Sequence, residues 1–105
     1  MDTVLVIGLG LQGKAVVHDL EQGDLVSEIV VADMDLDAAR GYLARKGYTR
    51  SRAVALDAAR EEQLLHLIES VGPRVTICML PPDFSYPIAR AALTAGCPGV
   101  LPVRY

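Results

Sequence analysis

The residues that decide the fold are Thr3-Val4-Leu5-Val6-Ile7-Gly8-Leu9-Gly10-Leu11-Gln12-Gly13. Thr3 to Ile7 is a short β-branched and apolar run without polar alternation, the pattern of a strand covered on both faces. Three glycines spaced GxGxxG follow at once. A helical pattern then runs from about Gln12 to Glu21, with Val16, Val17 and Leu20 on one side and Gly23 as its stop. The opening therefore reads strand, tight turn, helix.

The same alternation continues along the chain. Further strand-like runs are Ile29 to Ala32, Ala53 to Leu56, Val75 to Leu80 and Val100 to Val103. A second helix is predicted after Asp35, with Leu36, Ala39 and Leu43 as its apolar stripe and Gly47 as its end. A third places Leu64, Leu67, Ile68 and Val71 at i, i+3, i+4, i+7 behind Glu61 and Glu62, and Gly72-Pro73 breaks it. A fourth runs from about Phe84 to Ala95, after Pro81-Pro82 and before Gly96. Strict β-α alternation with helix-length connections implies parallel strands joined by right-handed crossovers. The expectation is one α/β domain over residues 1–105: a doubly wound parallel sheet of order 3-2-1-4-5 with helices on both faces.

Composition agrees and excludes several functions. The chain is 51% hydrophobic but only 5% aromatic, with a formal net charge of -3. It offers neither the basic surface nor the stacking platforms that nucleic acids need. No apolar run reaches the roughly 20 residues of a membrane helix, and Met1-Asp2 leads straight into a strand without a signal-like segment. Cys78 and Cys97 are too few and too far apart for a zinc set and read as buried reduced thiols. A cytoplasmic location is the resulting expectation, with no metal site.

In a strand-turn-helix context the glycines acquire separate tasks. Gly8 permits the sharp exit from the strand, Gly10 lets a diphosphate approach the backbone, and Gly13 lets the helix pack on the sheet. The amides at the helix start, with its positive dipole end, would then hold the anion. Asp33 stands twenty positions beyond Gly13, where a carboxylate accepts the adenosine ribose hydroxyls and repels a 2′-phosphate. With Met34 rather than a basic residue next to it, NAD is expected over NADP; Arg40 and Lys14 are the cations through which NADP would be admitted.

Each of these residues also has a plainer reading. The glycines could serve a turn that binds nothing, and Asp33 could cap the second helix, although Asp35 is nearer that role. Asp57 could touch the adenine edge or cap the third helix. Leu80, Pro81 and Pro82 lie at the sheet's ligand-binding edge, toward the central ribose or nicotinamide, and also stiffen a connection. His18 and His66 read as surface or packing residues, and Glu61 and Glu62 as a solvated helix start. No residue qualifies as a catalytic acid or base.

Val4 to Leu20, Val30 to Arg40 and especially MLPPDFSYPIARAALTAG (Met79 to Gly96) resemble the N-terminal cofactor domain of the saccharopine dehydrogenase family, including lysine-dehydrogenase-like members. The resemblance implies a Rossmann domain with the diphosphate at Gly8, Gly10, Leu11, Gln12 and Gly13. It puts the ribose at Asp33 and the nicotinamide side at Leu80, Pro81 and Pro82. It further implies hydride transfer at carbon–nitrogen bonds in amino-acid metabolism. The family continues into a substrate and dimerising domain, so this chain is expected to bind dinucleotide without turnover and to partner that domain or another copy. Two other functions compete: a nucleotide-sensing Rossmann module of the potassium-transport regulator type, and a degenerate domain kept as a partner surface.

Overall fold

Val4, Leu5, Val6 and Ile7 are all buried, so β1 (Asp2–Ile7) has no solvent face over its second half. It takes the centre of the sheet. The computed structural model describes residues 2–102. After β1 come α1 (Leu11–Gln22), β2 (Val26–Asp33), α2 (Leu36–Lys46), β3 (Ser51–Ala55) and α3 (Glu61–Val71). Then follow β4 (Val75–Cys78), a 3₁₀ turn (Pro82–Phe84), α4 (Ser85–Thr94) and β5 (Gly99–Pro102). All pairings are parallel, and the order is β3-β2-β1-β4-β5, as expected. Val4 pairs with Ile29 on one side and Val75 on the other.

Because successive strand residues point to opposite faces, the central strands feed two cores. Leu5, Ile7, Val30 and Ala32 pack with Leu64, Ile68, Ile88 and Ala92 of α3 and α4. Val4, Val6, Ile29 and Val31 pack with Val17 of α1 and with Ala39 and Leu43 of α2. The expected helix stripes thus face the cores, except that Leu36 at the start of α2 is only partly buried and joins neither, and the sheet is covered on both sides. Cys78 and Cys97 are buried free thiols.

The edges of several elements differ from the sequence reading. β2 begins at Val26 instead of Ile29, because Ser27 and Glu28 are carried into the sheet by pairing: Thr3 pairs with Glu28, whose carboxylate accepts from Arg52 Nε at 3.0 Å. β4 stops at Cys78, while Met79 still donates its amide to Ile7 at 2.9 Å as the chain turns away. α4 starts at Ser85, because the Pro82–Phe84 turn precedes it, with the Phe84 amide on the Pro81 carbonyl at 3.0 Å. Val103, expected in the last strand, lies outside the described residues. Among the described residues no helix is long and apolar enough to cross a membrane.

At the amino ends of β2 and β3 a polar clamp ties three elements together. Glu21 Oε2 accepts from the Arg50 amide at 3.0 Å and the Ser51 hydroxyl at 2.6 Å. The Arg50 guanidinium donates to the carbonyls of Val26 at 2.9 Å and Glu21 at 2.5 Å. The opposite, carboxyl edge of the sheet is left for the turns that carry chemistry.

Candidate functional site

The three glycines of the β1–α1 turn are not equivalent. Gly8 has φ +97°, a conformation L side chains rarely adopt, and its amide donates to the Ala32 carbonyl at 2.8 Å. A Cβ on Gly13 would collide with the Gly8 carbonyl oxygen. Gly10 has an ordinary φ of -72°, and a Cβ there would meet nothing within 4 Å. The fold needs Gly8 and Gly13 as glycines; it does not need Gly10 as one.

Gly10 is the N-cap of α1 and makes no side-chain cap bond, and no acidic residue lies in the first turn. The first-turn amides of a helix lack intrahelical partners. Here no side chain caps the first-turn amides, which adjoin open space at Gly10. Leu11 is 87% exposed at the rim of this cradle, and Gln12 is half-buried.

Asp33 ends β2 next to the turn. Its Oδ2 accepts from the Leu9 amide at 2.7 Å and its Oδ1 from the Asp35 amide at 2.9 Å. It does not cap α2. That role belongs to Asp35, whose Oδ1 accepts from Ala38 at 3.0 Å. Asp33 also borders an apolar slot of about 150 Å³ shared with Gly8, Met34, Leu56, Asp57, Ala58, Leu80 and Phe84. Met34 is 74% exposed at its mouth. Leu80 reaches Gly8, where a Cβ would come within 2.9 Å of Leu80 Cδ2. Pro81 lies exposed on the following loop, and Pro82 opens the 3₁₀ turn.

Other expectations are refined by geometry. Asp57 does not cap α3, whose N-cap is Arg60; its Oδ1 closes the preceding turn on the Ala59 amide at 3.1 Å. Glu61 is paired with Arg90 of α4 rather than merely solvated. His18 Nδ1 makes an exposed hydrogen bond of 2.9 Å with the Tyr48 hydroxyl. On the other side of Asp33, a cavity of about 290 Å³ between α1 and α2 is lined by Lys14, Tyr42 and Arg45 together with Asp33 and Asp35. Lys14 Nζ sits 4.9 Å from the Tyr42 ring centroid. Arg40 instead lines a groove with Tyr48 and Arg52, away from the carboxylate.

The structure thus brings Gly8, Asp33, Met34, Asp57 and Leu80 to one slot, while Gly10, Leu11, Gln12, Gly13, Pro81 and Pro82 are not among the residues that line it. The sequence reading missed Phe84, Leu56, Ala58 and Arg45. Leu56 and Ala58 were signalled by flanking Asp57 at a strand end. Arg45 stands one helical turn beyond Gly41, where a Cβ would meet its Nη1 at 3.3 Å.

A parallel sheet of this order, with a glycine turn opening its first helix and an acid ending its second strand, defines a dinucleotide-binding Rossmann domain. Residues 4–102 match the family described as saccharopine dehydrogenase NADP binding domain. The chain belongs to that family, and its cofactor class is NAD(P). Membership favours this reading over the potassium-transport type of sensor.

Solved structures agree on the fold. Apo saccharopine dehydrogenase (L-Glu forming) from Saccharomyces cerevisiae superposes with a TM-score of 0.83 at 22% identity, over 100% of this chain and 22% of that one. dTDP-glucose 4,6-dehydratase from Bacillus anthracis, in complex with NAD, gives 0.77 at 14% identity, over 97% of this chain and 37% of that one. A wide-type short-chain dehydrogenase/reductase from Veillonella parvula, in complex with NADP, gives 0.74 at 11% identity, over 96% and 46%. The chain therefore spans less than half the length of each.

Proposed function

We propose that this chain is the dinucleotide-binding half of a cytoplasmic NAD(P)-dependent oxidoreductase acting on carbon–nitrogen bonds of amino-acid substrates. The bound nicotinamide supplies the hydride chemistry. The chain's own residues bind and orient. Gly10, Leu11 and Gln12 hold the diphosphate between the turns set by Gly8 and Gly13. Asp33 accepts the adenosine ribose hydroxyls. Met34, Asp57 and the apolar slot enclose the adenine, with Leu80 at its back. Pro81 and Pro82 belong to the loop that serves the nicotinamide side, and the substrate residues come from a partner domain.

The observation that carries this reading is Gly10. It has room for a side chain and a backbone any residue can adopt, so its bareness serves something approaching from outside. The test is calorimetric titration of NAD and NADP into the wild type and Gly10→Ala. Stability should change by less than about 1 kcal/mol, the scale of an N-cap substitution. Affinity should fall at least about tenfold, since a methyl group would occupy the diphosphate's approach. Equal affinity in wild type and variant, or no binding by either, rejects the proposal.

A further inference from the structure

We propose that Asp33 is also a positioning residue for the diphosphate turn, acting through the Leu9 amide; the inference rests on the nucleotide-binding reading above. Leu9 is the residue between the strained glycine and the open one, and its peptide sets the direction in which Gly10 enters α1. Its amide donates to Asp33 Oδ2 at 2.7 Å, across 24 positions of sequence. The preceding amide, on Gly8, donates to the Ala32 carbonyl at 2.8 Å. Two consecutive amides of the turn are therefore fixed by two consecutive residues at the end of β2. The second of these attachments is a charge-assisted bond to a side chain, and a substitution can remove it.

The carboxylate is itself held from the far side by the Asp35 amide at 2.9 Å on Oδ1. A carboxylate offers about four lone-pair sites. Two are taken by these amides, and two remain for the vicinal hydroxyls of a ribose. The same group thus holds the diphosphate cradle in place and receives the adenosine, so the two halves of the site are joined through one side chain. Leu9 supports this arrangement from its other end: its side chain is buried in the core on the α1–α2 face. The peptide between side chain and carboxylate has little freedom to turn.

The separating probe is 2′,3′-dideoxy-ADP, which keeps adenine and diphosphate but has no hydroxyl for Asp33 to accept. By charge alone, removing a carboxylate beside a diphosphate should strengthen binding. The positioning role predicts the opposite sign. Dideoxy-ADP should bind Asp33→Ala about tenfold more weakly than wild type, the scale of one lost charge-assisted bond. Asp33→Asn should recover most of this, because its one amide oxygen can still accept from Leu9. Amide exchange at Leu9, followed by NMR in the 105-residue chain, should be slow in wild type and at least about tenfold faster in Asp33→Ala. Fast exchange at Leu9 in the wild type overturns the inference whatever the variants do. So does unchanged or tighter dideoxy-ADP binding by Asp33→Ala when ADP binding falls, which leaves Asp33 as a ribose acceptor only. Failure of the wild type to bind ADP at all removes the nucleotide reading, and the inference with it.

Discussion

Single residues in the β1–α1 turn separate fold from binding. Gly13 packs so closely on the Gly8 carbonyl that a methyl group cannot be accommodated without moving backbone. Overpacking of this kind typically costs about 1–3 kcal/mol. Gly13→Ala should therefore lower the unfolding free energy by at least that much in urea titration, where Gly10→Ala leaves it nearly unchanged. Equal stability of the two variants would mean that the glycines are not divided between fold and ligand. The sequence showed the three glycines and their spacing but not this division, because it depends on which backbone atom lies opposite each Cα. The Asp33–Leu9 bond was hidden for a related reason. It joins a side chain to a main-chain amide, and amides carry no mark in a sequence.

Among the elements, legibility followed hydrophobic continuity. β1 and the stripe of α3 were readable because every residue that packs is apolar: Leu64 and Ile68 are fully buried, and Leu67 and Val71 flank the same core. β2 was read three residues short at its amino end because polar Ser27 and Glu28 interrupt the apolar run, although the ladder continues through Glu28. The clamp of Glu21, Arg50 and Ser51 was not anticipated, since each residue alone looks like ordinary surface. α3 should be the most sensitive helix. Leu64→Ala removes a side chain with no exposure from the α3–α4 core, and such truncations cost about 2–5 kcal/mol. Thermal unfolding should show a correspondingly large drop, while a loss under about 1 kcal/mol would place the weight of that core elsewhere.

For the whole molecule, both faces of the sheet are covered, and the exposed apolar side chains that a partner would meet lie on its outer elements. Tyr86, Leu93 and Leu101, on α4 and the edge strand β5, are 71%, 75% and 55% exposed. Exposed apolar surface, where it gathers into a patch, marks interaction sites. Weak self-association is expected in light scattering as concentration rises. Leu93→Lys should reduce it, with a stability change within about 0.5 kcal/mol, as for other surface positions. A clean monomer at high concentration in the wild type would discard that surface as the docking face.

The central position of β1 also has a consequence for synthesis. Its first neighbour, β2, follows after one short helix, but its other neighbour is β4, with Val4 waiting for Val75. A ribosome adds about 5–20 residues per second, and domains form as their parts emerge. For about 1–5 seconds the nascent β1–β2–β3 half presents the unpaired edge of a strand whose last four residues are buried in the finished domain. Slowing translation between β3 and β4 should therefore lengthen the period in which the chain needs chaperone protection, without altering a single contact of the finished domain.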